Sequence, residues 1–102
     1  MFSAAGGLAT MGYTVFASTF AVFAEHAYDQ IRMNIAQPNL NVKIVVSHAG
    51  VTVGEDGASA QSIEDIALFS SLMNFRVLVP ADVVEAAAAH ELAAKTPGPY
   101  SP

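Results

Sequence analysis

Residues 42 to 47 read Val-Lys-Ile-Val-Val-Ser, a nearly unbroken β-branched run with a single lysine in it. A strand that alternates can leave one face to water, but a continuous apolar run needs cover on both faces, the situation of a strand inside a parallel sheet. A chain holding such a strand must also supply helices to cover it.

The rest of the sequence meets that demand in alternation. Residues 2 to 11 are rich in Ala and Leu and end at Gly12, the pattern of a helix closed by a C-terminal glycine, although no start signal precedes it. Tyr13 to Ala17 is a short β-prone run, and Ser18 or Thr19 is placed to cap a second helix. From there, apolar residues at Phe20, Phe23, Ala24, Ala27, Tyr28, Ile31 and Ile35 paint one helical face, which stops near Gln37 and Pro38. Ser62 with Asp65 has the capping-box pattern for a helix carrying Ile63, Ile66, Ala67, Phe69 and Leu72. Arg76 to Val79 reads as a third strand, and Asp82 with Glu85 repeats the capping-box pattern for a helix reaching Lys95. Thr96 to Pro102 holds three prolines and one glycine, and a proline cannot serve inside a central strand, so a final strand is expected to be missing. The expected fold is α/β, a three-layer architecture on a three-stranded parallel sheet. It is expected to be incomplete, because such a sheet leaves hydrophobic edges open and the first helix lacks its start.

Composition narrows the function classes. A length of 102 residues holds one domain, with no room for a second. The sequence is 53% hydrophobic and only 13% charged, well below the usual quarter or so, so much of the surface is expected to be covered by something else. The net charge is −5, and the four basic residues, Arg32, Lys43, Arg76 and Lys95, are scattered, which argues against binding nucleic acid or an anionic membrane. With no cysteine there is no disulfide framework and no thiolate site, in keeping with a cytoplasmic protein. Met1 to Ala24 carries no charge, but a secretory leader wants Lys or Arg near its start and none occurs before Arg32. Ser3, Thr10, Thr14, Ser18 and Thr19, with Gly6, Gly7 and Gly12, also break up any membrane span.

His48 to Gln61 has no sustained period and contains Gly50, Gly54 and Gly57. It is too long for an ordinary strand-to-helix connection and is therefore a functional candidate. In open α/β sheets ligands gather beyond the carboxyl ends of the strands, which directs attention to Ser18 to Phe23 and to this loop.

Those same residues carry a resemblance. Gly7-Leu8-Ala9, Ser18-Thr19-Phe20-Ala21-Val22-Phe23, Ala27-Tyr28-Asp29-Gln30-Ile31-Arg32, Leu78-Val79-Pro80-Ala81-Asp82, and above all Ser47-His48-Ala49-Gly50-Val51-Thr52-Val53-Gly54-Glu55-Asp56-Gly57 are similar to the pyrimidine-binding domain of transketolases. The similarity covers essentially the whole of residues 1 to 102, which are expected to form a partial domain of that kind. It implies thiamine diphosphate as cofactor, with the aminopyrimidine held here and the diphosphate and its Mg2+ held by another domain or subunit. It further implies ketol transfer between sugar phosphates by a homodimer or heterotetramer, with the 102 residues inactive alone. Deoxyxylulose-phosphate synthase and the β subunit of 2-oxo acid dehydrogenases share the domain type, and a non-catalytic dimerisation module is an alternative of another class.

Carried over by position, Phe20 and Phe23 match the aromatic residues packed around the pyrimidine, although the same spacing also suits core filling. His26 stands where the family often has another aromatic, and equally suits a plain surface histidine. His48 matches a histidine facing substrate and cofactor, able to move a proton or donate to a sugar hydroxyl, and Asp56 matches the carboxylate that receives a donor-sugar hydroxyl. Glu55 is expected to brace the loop, and no metal site is expected in this chain. Two departures stand out: Ala60 occupies the place of a second substrate histidine, and the family's Glu-Gln-Asn-Met run aligns its Met with Met1, so the Glu that activates the pyrimidine falls ahead of this sequence.

Overall fold

The computed structural model describes residues 1 to 101, and Pro102 lies outside the described residues. Four strands, β1 (Val15–Phe20), β2 (Val42–Ser47), β3 (Arg76–Val77) and β4 (Tyr100–Ser101), form one all-parallel sheet in the order β1-β2-β4-β3. The expected α/β class and parallel sheet are present, but the sheet has four strands where three were expected. The strand expected to be missing is there: Tyr100–Ser101 pairs between β2 and β3, with Lys43 opposite Tyr100 and Val77 opposite Ser101.

The helices are α1 (Phe2–Thr10), α2 (Ala21–His26), α3 (Tyr28–Ile31), α4 (Asp65–Ser70) and α5 (Val83–Lys95). The first ends as the glycine predicts, with Gly12 at φ 93 just beyond Met11. Gly6 serves a second purpose, close approach: a Cβ there would meet the Asn34 carbonyl oxygen at 2.6 Å, so only glycine lets α1 lie this near the turn after α3.

Three sequence expectations about helix boundaries are corrected. Ser18 and Thr19 do not cap a helix; they pair with Val45 and Val46 inside β1, which runs on to Phe20. The single helix expected from Phe20 to Gln37 is interrupted at Ala27 and continues after Ile31 as a π-helical turn, Arg32–Ala36, closed by the Gln37 N–H to Arg32 C=O bond at 2.9 Å. The wider turn brings the consecutive residues Ile35 and Ala36 both into full burial. Ser62 does not cap α4, whose N-cap is Glu64. The pattern at Asp82 and Glu85 does form: Asp82 Oδ1 accepts from the Glu85 N–H and Glu85 Oε2 from the Ala81 N–H, both at 2.8 Å.

The main core lies on one sheet face, where Ala17, Val42 and Ile44 meet Phe2, Ala5, Ile31, Ile35, Phe69 and Leu72. Along β1 the side chains alternate, so Phe16 points away from Ala17 and meets α5, stacking on His90 with ring centroids 6.3 Å apart. Helix, sheet and helix thus make the three layers. Lys43, opposite Phe16, is also on the α5 side; it is fully buried, and its Nζ donates to the carbonyls of Thr96 at 2.7 Å and Gly98 at 2.5 Å. The lysine that interrupted the Val/Ile run therefore ties the segment leading into β4 to the centre of the sheet.

Candidate functional site at the carboxyl edge of the sheet

Register builds the site. Phe20 is paired with Ser47, so β1 and β2 finish level at the same edge of the sheet. Phe20 is the last residue of β1 and the N-cap of α2, which places Phe23 one turn further on the helix that leaves this edge. His48 follows β2 with φ 56, a left-handed backbone that a non-glycine residue adopts at a cost. Together these turns stack three rings: Phe20 and His48 have centroids 3.9 Å apart with planes 19° from parallel, and Phe20 and Phe23 lie 5.7 Å apart at 14°. The hydrogen bond between His48 Nδ1 and Ser47 Oγ, 2.9 Å, steadies the imidazole.

Burial separates the two readings of the phenylalanines. Phe23 is 58% exposed, so it does not fill the core, and Phe20 is half-buried. A stack of aromatic faces left open at the edge of a sheet is a surface suited to a flat ring with polar edges. Of the residues singled out from the sequence, Phe20, Phe23 and His48 come together. His26 ends α2 exposed, and its ring is not among the stacked pairs. Asp56 lies in the exposed turn between Gly54 (φ 83) and Gly57 (φ 72), closed by the Gly57 N–H to Gly54 C=O bond at 3.1 Å. Its carboxylate makes no hydrogen bond among the described residues, and the same holds for the neighbouring Glu55. Ala60 is buried in the short 3-10 turn Ala58–Ala60.

Among the described residues no group of three or more His, Asp or Glu side chains is placed to hold a metal ion, and no helix is long and apolar enough to cross a membrane. A separate cleft of about 170 Å³ opens at the carboxyl ends of β2 and β3, lined among others by Val46, Asp65, Ile66, Phe69, Val77 and Val79. None of the stacked rings lines it.

Sequence reasoning missed one connection in this site. Glu25, half-buried on α2 between Phe23 and His26, accepts a hydrogen bond from the hydroxyl of the buried Ser62 at the far end of the loop. The capping-box pattern of Ser62 pointed to a different partner, so the available signal was masked by a local one.

Comparison with known proteins identifies the family of this fold. The family model for the transketolase pyrimidine-binding domain matches residues 1–101. A putative transketolase C-terminal section of Methanocaldococcus jannaschii is 54% identical over 83 residues, covering 80% of this chain and 26% of that protein. Human transketolase is 48% identical over 99 residues, covering 96% and 16% respectively. Among solved structures, a split-gene transketolase in an inactive β4 tetramer superposes with a TM-score of 0.85 at 48% identity, covering 96% of this chain and 31% of that one. The transketolase of Campylobacter jejuni gives 0.89 at 29% identity, covering 99% and 16%. The chain thus spans between about a sixth and a third of the length of these relatives. It belongs to the transketolase family, matching that family's pyrimidine-binding domain.

Proposed function

We propose that this chain is the pyrimidine-holding part of a thiamine-diphosphate-dependent, transketolase-like transferase that moves a two-carbon ketol unit between sugar phosphates. The observation that carries the reading is the open stack of Phe20, Phe23 and His48 where β1 and β2 end together. Phe20, Phe23 and His48 would hold the aminopyrimidine of the bound cofactor, with His26, one further turn along α2, at its margin. Thiamine diphosphate supplies the nucleophilic carbon and the electron sink of the reaction. The chain's own residues orient the ring, keep water from its apolar face and handle protons. His48 presents its imidazole to the reacting sugar, donating to or accepting from a hydroxyl. Asp56 accepts a hydrogen bond from a donor-sugar hydroxyl; a substrate lacking that hydroxyl leaves the carboxylate unpaired, which penalises the wrong epimer.

Diphosphate and Mg2+ are held by another domain or subunit, as membership in the transketolase family implies. The relatives named as a C-terminal section and as a split-gene tetramer support an assembly in which complementary segments complete the enzyme. With Ala60 where a second histidine is expected, donor recognition rests on His48 and Asp56.

Calorimetric titration of the full-length protein with thiamine diphosphate and Mg2+ tests the reading. Removing one ring that the cofactor covers costs about 1.5–3 kcal/mol, so Phe23→Ala is expected to weaken binding by about 10- to 100-fold while Phe23→Tyr stays close to the parent. Equal affinity in Phe23→Ala would remove the stack from the cofactor site. Ketol transfer from a ketose phosphate, against turnover of pyruvate, separates this transferase from the related thiamine enzymes.

A further inference from the structure

The loop from His48 to Gln61 is tied at both ends. Near its start, the Gly50 N–H donates to the Ser62 carbonyl at 2.6 Å in an isolated antiparallel bridge, and Gln61 Nε2 donates to the Val51 carbonyl at 3.0 Å. These bonds close the loop on itself but leave its placement over α2 open. That placement comes from Ser62 Oγ donating to Glu25 Oε1, the one side-chain hydrogen bond between the loop's end and α2 among the described residues. Ser62 is fully buried, and its hydroxyl makes no cap for α4, so its polar group is committed to Glu25. Glu25 lies two residues after Phe23 on the helix that carries the outer ring of the stack.

We propose that Glu25 and Ser62 form a positioning latch, which fixes the closing end of the loop to α2 and so holds His48 in its left-handed conformation against Phe20. The inference deepens the function proposed above and rests on it for its meaning in catalysis, because the ring stack it sets is the surface assigned to the aminopyrimidine. A strained backbone such as that of His48 persists where its surroundings over-determine it. Here the surroundings are the Ser47 hydrogen bond, the Gly50–Ser62 bridge and the latch. Neither Glu25 nor Ser62 touches the rings; both act through the loop.

The test reads His48 itself, in the full chain labelled with 13C-histidine. A ring stacked 3.9 Å from Phe20 carries an upfield ring-current shift in its NMR signals. Ser62→Ala and Glu25→Ala are expected to move the His48 signal toward its free-histidine position, while Ser62→Thr and Glu25→Gln, which keep a donor and an acceptor, retain it. The His90 signal, set by Phe16 where β1 meets α5 and away from the loop, should stay in place. An unmoved His48 signal in Ser62→Ala overturns the latch. Collapse of the His48 and His90 environments together also overturns it, because the bond would then support the whole fold instead of positioning one loop. Thiamine diphosphate binding, measured with Mg2+ on the same variants in the complete enzyme that includes the diphosphate-binding domain or subunit, is expected to weaken by up to about tenfold in Ser62→Ala, the scale of one degraded aromatic contact. If the His48 shift is lost and binding is unchanged, the latch stands and the cofactor reading of the stack fails.

Discussion

A buried lysine is the residue whose chemistry departs furthest from the ordinary. Lys43 lies in the middle of the sheet with its ammonium 4.7 Å from the Tyr100 ring centre, while the Arg76 guanidinium covers the same ring at 5.2 Å. Burial, and secondarily the positive charge of Arg76, lowers its pKa from 10.5 to about 8. The unfolded chain therefore binds more protons than the folded one between about pH 8 and 10.5, and the penalty of burying this charge is relieved as pH rises through that window. Denaturant unfolding of Lys43→Met beside the parent should show the parent gaining stability relative to the variant between pH 8 and 10. A difference that stays flat or shrinks with pH would contradict the burial argument. At every pH the variant also leaves the Thr96 and Gly98 carbonyls without a partner, at a cost of about 1–3 kcal/mol.

At the scale of elements, two copies of one local pattern met different fates. Asp82 and Glu85 cap α5 as their spacing dictates. Asp82→Ala is expected to cost about 1 kcal/mol, read as a lowered denaturation midpoint, and Asp82→Asn to cost much less. Equal loss in both variants would show that the charge, and not the accepted N–H bond, matters. Ser62 and Asp65 carry the same signature, yet Ser62 gave its hydroxyl to Glu25 and the helix begins after Glu64. The difference is tertiary: the Gly50 bridge draws Ser62 toward the loop, away from the first turn of α4. Strand limits moved for a like reason. Ser18 and Thr19 look like caps in one dimension, but β2 offers Val45 and Val46 as partners, and pairing extends β1 to Phe20. That extension is what brings Phe20 level with Ser47 and makes the ring stack possible.

For the whole molecule, the low charge density has a visible counterpart. Phe23, Ile63, Val79, Val83, Val84 and Leu92 are all more than half exposed, a load of apolar surface that a free-standing domain does not ordinarily present to water. The full chain by itself is expected to self-associate in sedimentation equilibrium as concentration rises, and a strictly monomeric chain would refute the expectation of covered faces. The sequence by itself determined the alternation of strands and helices, the glycine stop of α1 and the cap of α5, because each of these is written in residues a few positions apart. Only the tertiary structure decided that Tyr100–Ser101 inserts between β2 and β3, that Lys43 reaches Thr96 and Gly98, that Glu25 takes Ser62, and that Phe20 meets His48. Those contacts join residues far apart in the chain, and their geometry depends on sheet register and on competition among partners for each polar group. Neither quantity has a period that a linear pattern can display.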